Sequence, residues 1–162
     1  MSKAEKTALL ALPISLLLAA GLAWSGSQGG KVVAGGKRHA MGGSFFEPTV
    51  IADAKPRMRF TKDEIFGPIA CVIRVPDYET ALATLNDTQY GLTAGIITNS
   101  LKIASDFKAR AQTGCVMVNL PTAGTDYHVP FGGRKASSFG PREQGRYARE
   151  FYTIVKTCYI KA

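Results

Sequence analysis

From Ile69 to Leu120 the chain alternates short β-branched apolar runs with stretches whose apolar residues recur at helical spacing. No other feature restricts the possible folds as strongly. Ile69–Val75 (IACVIRV) reads as a buried strand. Pro76-Asp77 supplies an N-cap, and Tyr78–Asn86 follows with Tyr78, Ala81, Leu82 and Leu85 on one helical stripe, stopped by Gly91. Thr93–Thr98 (TAGIIT) is the next strand. Asn99-Ser100 caps a second helix, Leu101–Gln112, whose face is Leu101, Ala104, Phe107 and Ala111, and Gly114 ends it where a left-handed residue is commonly needed. Cys115–Leu120 (CVMVNL) is a third buried strand. Strand-helix-strand-helix-strand with short connections predicts an α/β fold, a parallel sheet with flanking helices and right-handed crossovers.

Beyond Leu120 the texture changes. Pro121–Gly140 is rich in Gly, Pro, Ser and aromatics and reads as a long functional loop. Pro141 can start a short helix through Glu150. Phe151–Lys161 (FYTIVKTCYIK) is built of β-formers, and its lysines suit an edge strand or pairing with another subunit's sheet.

The 162 residues suffice for one domain with a core, and 46% hydrophobic with 20% charged residues argues against wholesale disorder. The net charge of +8 is spread out, with no Lys/Arg run longer than a pair, so it describes a solvated face rather than a nucleic-acid groove. Cys71, Cys115 and Cys158 are odd in number and far apart, which suggests neither a zinc site nor a disulfide framework. Cys71 and Cys115 lie in apolar strand-like runs, where a thiol acts as a small hydrophobe.

The start is a separate problem. Thr7–Trp24 is almost wholly apolar, follows Lys3 and Lys6, and closes on a Trp suited to a membrane interface. Its length lies at the lower edge of what crosses a hydrocarbon core of about 30 Å. A secretory signal fits as well, and a buried core helix or an accidental reading frame are the bland alternatives. Membrane association or a signal is favoured, which leaves the location membrane-associated if 7–24 inserts and cytoplasmic if it does not. Ser25–Gly30 (SGSQGG) reads as a linker, so the expected organisation is an apolar segment at 1–24, a linker at 25–30, a body at 31–150 and a terminal strand at 151–162.

Several motifs in one order carry a resemblance. Phe46-Glu47-Pro48-Thr49-Val50 is followed by Glu64-Ile65-Phe66-Gly67-Pro68 (EIFGP), then by Tyr90-Gly91-Leu92, Val116-Met117-Val118-Asn119 and Pro130-Phe131-Gly132-Gly133-Arg134-Lys135 (PFGGRK). Arg142-Glu143-Gln144-Gly145 and the Tyr152–Lys156 stretch close the series. Together they resemble the C-terminal part of the aldehyde dehydrogenases over about residues 28–162. Asn119–Gly133 (NLPTAGTDYHVPFGG) looks like the 2-oxoglutarate semialdehyde dehydrogenases in particular. The resemblance implies part of that family's catalytic domain and a final oligomerisation-type strand.

It also implies roles. Glu64 would accept hydrogen bonds from the hydroxyls of the nicotinamide ribose of NAD or NADP, and Phe66 would pack beside the nicotinamide, with Gly67-Pro68 as the turn that turns both side chains to the cofactor. A carboxylate can accept from two vicinal hydroxyls, and a flat apolar ring can restrain a flat heterocycle. Phe131 would be the chief aldehyde contact, with Thr125, Tyr127 and His128 beside it. Asn119 reads as a strand-end hydrogen-bonder rather than a catalytic donor.

The family's chemistry needs a thiolate, an amide donor for the oxyanion, a glutamate base and a cofactor domain, which in relatives precede EIFGP. None is recognised in this chain, and Cys115 falls at an ordinary core position. No residue here is therefore expected to be catalytic. The expectation is a C-terminal piece of an NAD(P)-dependent aldehyde dehydrogenase, inactive alone, that oligomerises or pairs with an intact relative or complementing chain. The alternative is a membrane-tethered, non-catalytic interaction module that keeps the fold. Either way, exposed apolar surface and aggregation are expected.

Overall fold

The computed structural model describes residues 29–161. The apolar run 7–24 and residues 25–28 of the expected linker lie outside them. Among the described residues, no helix is long and apolar enough to cross a membrane. The chain divides into two compact units between Pro76 and Asp77.

The first unit holds a three-stranded sheet of order β1-β2-β3, made of β1 (Lys31–Ala34), β2 (Thr49–Ala54) and β3 (Ile69–Ile73). β1 runs antiparallel to β2, and β3 runs parallel to it. The β1–β2 connection turns at Gly35, whose φ is +65° and where a Cβ would lie 2.2 Å from the Pro48 carbonyl oxygen, so the return path demands glycine. Thr49, buried, accepts from the Gly36 amide at 2.8 Å and donates to the Glu47 carbonyl at 2.8 Å. Its own amide donates to the Pro68 carbonyl at 2.8 Å, which ties β2 to the end of the EIFGP motif.

A bulge shapes the core here. Along β2, Ile51 pairs with Cys71 and Ala54 with Ile73, so three steps on one strand match two on the other. Asp53, at φ +56°, absorbs the extra residue, and both Ile51 and Ala54 thereby reach the buried side. They pack with Phe46, Met58 and Phe60 against Ile65, Ile69, Cys71 and Ile73. Ile51 is fully buried, a gain of about 1.5–3 kcal/mol over leaving its side chain in water.

The second unit runs α1 (Tyr78–Asn86), β4 (Thr93–Ile96), α2 (Leu101–Arg110) and β5 (Cys115–Val118), with β4 and β5 parallel in register from Thr93↔Cys115 to Ile96↔Val118. Both expected caps form: Asp77 accepts from the Thr80 amide at 2.7 Å and Ser100 from the Ile103 amide at 3.3 Å. The core is Leu82, Ala94, Phe107 and Ala111, with Tyr78, Leu85, Ile96 and Val116 packed on it. Leu101, expected on the buried face, is instead exposed at the first position of α2.

Several expectations are corrected. The single parallel sheet is two sheets, one with an antiparallel pair, and β3 and β4 are not paired. Apolar periodicity reports that a run is a strand but not which strand it bonds. β4 stops at Ile96 rather than Thr98 because a side chain takes over the ladder: the Asn119 amide group accepts from the Thr98 N–H at 2.8 Å and donates to the Thr98 carbonyl at 2.9 Å. Asn119 is thus the strand-end hydrogen-bonder expected. α2 ends at Arg110, not Gln112, because the Asn86 side chain donates to the Arg110 carbonyl at 3.0 Å and accepts from the Gln112 amide at 2.8 Å.

The helix expected from Pro141 to Glu150 is shortened to a 3-10 turn, Gly145–Tyr147, and α3 (Ala148–Tyr152), since Glu143 is held by backbone bonds to Phe131. Phe151 and Tyr152 therefore end a helix instead of opening a strand. Among the described residues 153–161 makes no ladder, because β-forming residues need an edge to bond to, and Ile154, Val155, Tyr159 and Ile160 stand exposed.

Candidate functional site

In the first unit, a 3-10 turn, Arg59–Thr61, leads into EIFGP. The turn is locked by the Thr61 hydroxyl donating to the Met58 carbonyl at 2.6 Å and by the Asp63 amide donating to the Arg59 carbonyl at 2.8 Å. The Ile69 amide then reaches back to the Gly67 carbonyl at 2.8 Å, so Gly67-Pro68 forms a tight turn into β3. Between these locks Phe66 adopts φ +58°, a left-handed conformation that is uncommon for a bulky residue. Such strain persists only where the surroundings over-determine it, and it clusters at ligand sites. Its ring is 82% exposed, so no core packing repays the strain.

Phe66 and Glu64, both exposed, line a cavity of about 450 Å³ whose more buried walls include Phe60, Ile69 and Cys71. The cavity thus combines one free carboxylate, one free aromatic face and an apolar interior. Cys71 was read from the sequence only as a core thiol. Its side chain does pack on the core, yet the alternation Ile69, Cys71, Ile73 also turns it to the cavity, a placement that the period of two could have signalled.

In the second unit the four residues expected at an aldehyde pocket are dispersed along one loop. Thr125 lines an apolar cavity of about 360 Å³ with Val116, Met117, Leu120 and Val129. Tyr127 and His128 point outward as an edge-to-face pair, ring centroids 5.5 Å apart. Phe131 is half-buried, and its backbone exchanges two hydrogen bonds with Glu143, at 2.8 and 2.9 Å. Behind the loop, the Gly145 amide donates to the Tyr127 carbonyl at 3.1 Å, and a Cβ on Gly145 would come within 2.5 Å of the His128 carbonyl oxygen.

The remainder of PFGGRK is a docking element. A Cβ on Gly114 would lie 1.8 Å from the Gly132 carbonyl oxygen, so two backbones touch there. Gly114 has no left-handed φ; the expectation that it serves as a helix stop is replaced by a requirement for space. The Arg134 amide donates to the Gly91 carbonyl at 2.8 Å, and the Ser137 hydroxyl accepts from the Gly91 amide at 2.9 Å. Arg142 donates to the Gly133 carbonyl at 2.6 Å. The sequence reading did not single out Lys135 or Arg142, although α1 lacks a basic residue in its last turn, which is the signal Lys135 answers.

The three cysteines differ in their surroundings. Burial pushes the Cys71 thiol above its ordinary pKa, the reverse of activation. Cys115 is half-buried on β5, its Sγ 3.8 Å from the Gly132 carbonyl oxygen, and Cys158 lies exposed in 153–161.

A family model described as the aldehyde dehydrogenase family matches residues 22–158. An alpha-ketoglutarate semialdehyde dehydrogenase of Haloferax volcanii is 48% identical over 118 residues, 72% of this chain and 24% of that protein. An alpha-ketoglutaric semialdehyde dehydrogenase of Bacillus subtilis is 34% identical over 138 residues, 83% of this chain and 28% of that protein. The chain therefore spans about a quarter of the length of these relatives. Among solved structures, an NAD+ complex of an aldehyde dehydrogenase from Bacillus cereus superposes with a TM-score of 0.82 at 34% identity, covering 88% of this chain and 29% of that one.

Proposed function

The chain belongs to the aldehyde dehydrogenase family, and from that membership we propose that residues 29–161 supply two parts of an NAD(P)-dependent aldehyde-oxidising site. Glu64 binds the nicotinamide ribose through its hydroxyls, and Phe66 restrains the nicotinamide. Phe131, flanked by Thr125, Tyr127 and His128, forms the aldehyde-side wall. The substrate is a semialdehyde such as 2-oxoglutarate semialdehyde, in keeping with the relatives named above. The cofactor is NAD or NADP.

One observation carries this reading: an aromatic residue held in a left-handed conformation, with its ring unburied beside a free carboxylate at an apolar cavity. Packing gives no reason for that cost, whereas a flat heterocycle stacked on the ring does. When bound, the cofactor supplies hydride-accepting chemistry. This chain's part is to bind and orient it.

The 162-residue chain by itself turns over no aldehyde on this reading, because burial raises the Cys71 thiol, Cys115 is half-buried on β5, and Cys158 lies in 153–161 and lines neither cavity. The segment 153–161 pairs with the sheet edge of a second copy, an intact relative or a complementing chain.

The test is a titration of the purified chain with NAD+ and NADP+, repeated with Glu64→Ala and Phe66→Ala. Saturable binding weakened by both substitutions is expected; no binding, or equal binding in the variants, defeats the cofactor role. An assay with NAD(P)+ and 2-oxoglutarate semialdehyde is expected to show no turnover. Activity that persists with all three cysteines replaced, or that vanishes with one of them, would overturn the inactivity.

A further inference from the structure

The C-terminal end of α1 leaves carbonyl groups without intrahelical partners, and the helix has no basic residue of its own in the last turn. Lys135, exposed and 49 residues beyond Asn86, fills that position: its Nζ donates to the Asn86 carbonyl at 2.7 Å and to the Thr88 carbonyl at 3.0 Å. A cation there is favoured both by the hydrogen bonds and by the helix dipole. The backbone on either side of Lys135 is docked to the same connection, Arg134 N–H to the Gly91 carbonyl at 2.8 Å and Ala136 N–H to the Gln89 carbonyl at 3.0 Å. Lys135 itself has φ +54°, a conformation that local contacts must hold in place. Four residues earlier stands Phe131, fixed from its other side by Glu143, while Arg142 holds the Gly133 carbonyl.

We propose that Lys135 is a positioning residue: its ammonium, seated on the Asn86 and Thr88 carbonyls, holds the Gly132–Gly133 backbone and so sets where the Phe131 ring stands. The proposal deepens the reading above and rests on it for the role of Phe131 as an aldehyde-side wall. A long cationic side chain suits the task because it brings more than one N–H donor to two carbonyls at a helix end.

The test is amide hydrogen exchange of the full chain, resolved by residue. Lys135→Met keeps the aliphatic stem and removes the ammonium. It is expected to speed exchange at the Phe131 and Arg134 amides about tenfold, the loss of a local restraint. The Cys115 and Asn119 amides, bonded to the Leu92 and Ile96 carbonyls at 3.0 and 2.8 Å, keep their rates. Lys135→Arg restores protection, and Lys135→Gly, which relieves the left-handed strain without an ammonium, behaves as Lys135→Met does. Unchanged rates at Phe131 and Arg134, uniform acceleration that includes Cys115 and Asn119, or a Gly variant that exchanges like the native chain would each overturn the proposal. Binding of 2-oxoglutarate, the product acid, separates the underlying reading. If Phe131→Ala leaves it unchanged, Phe131 is no wall, and the exchange rates still decide whether Lys135 positions it.

Discussion

Tyr78 donates its hydroxyl hydrogen to Asp106 at 2.7 Å, joining the first residue of α1 to the middle of α2. Arg110 extends the link, holding Glu79 through two N–H···O bonds of 2.7 and 2.9 Å and Asp106 through one of 3.0 Å. Partial burial and the neighbouring Asp106 push the Tyr78 pKa up to about 12. The Arg110 guanidinium holds Glu79 below the usual carboxylate range, and Tyr78 with Arg110 does the same for Asp106. A raised folded-state pKa gives stability that is complete below the unfolded value, near 10, and is lost as pH rises toward 12. The depressed carboxylates act at the other end: their contribution is complete above about pH 4 and is lost as pH falls below it. Thermal melts across pH should therefore show an alkaline decline that Tyr78→Phe flattens. Arg110→Met should lower Tm by a few degrees at most, since the pairs are exposed, and should weaken the acid-side decline. A Tyr78→Phe chain with the native alkaline profile would refute the assignment.

Phe66 offers a separation of stability from binding. Asparagine tolerates the left-handed region, and the Phe66 ring buries little, so Phe66→Asn should leave Tm unchanged or raise it, by up to about 1 kcal/mol of stability. The same substitution should weaken NAD+ binding. Melting and titration of one variant measure both, and a marked fall in Tm would mean that Phe66 is a packing residue.

Gly114→Ala should be severe although the residue is small. The new methyl group would need the space of the Gly132 carbonyl oxygen, and backbone on both sides limits relief. It should rival Phe107→Ala, which empties the core of the second unit at a cost of about 3–5 kcal/mol. Urea unfolding followed by circular dichroism compares them, and an alanine chain within 1 kcal/mol of native, on the order of an ordinary surface change, would contradict the close contact.

The segment 153–161 should drive association. Its exposed Ile154, Val155, Tyr159 and Ile160 form an apolar strand-like stretch with no ladder among the described residues. Sedimentation should show dimers or larger species, and Ile154→Lys with Ile160→Lys should shift them toward monomer. A native chain that sediments as a monodisperse monomer would argue that 153–161 pairs with nothing.

Much of this was legible along the chain. The caps at Asp77 and Ser100 and the bounds of α1 follow from local chemistry, because a side-chain oxygen three residues from an amide needs no distant partner. The series of short motifs marked the family, and Glu64 and Phe66, expected on the cofactor side, line one cavity because they are neighbours in sequence. Thr125, Tyr127, His128 and Phe131, expected at an aldehyde pocket, share a loop but not one cavity, since the loop's path depends on Gly145, Glu143 and Arg142 behind it.

Sequence alone determined the element types from Ile69 to Val118, the starts of α1 and α2 and the family, all of which rest on periodicity, capping and short motifs read within a few residues. Only the tertiary structure decided which strands share a sheet, where β4 and α2 stop, why Gly114 must be glycine, and that Lys135 closes α1. Each of those depends on a partner 16 to 49 positions away in sequence, such as Val50 for Ala34, Gly132 for Gly114 and Asn86 for Lys135. Contacts of that kind leave no period in the chain and exist only once the backbone has brought their members within hydrogen-bonding or van der Waals distance.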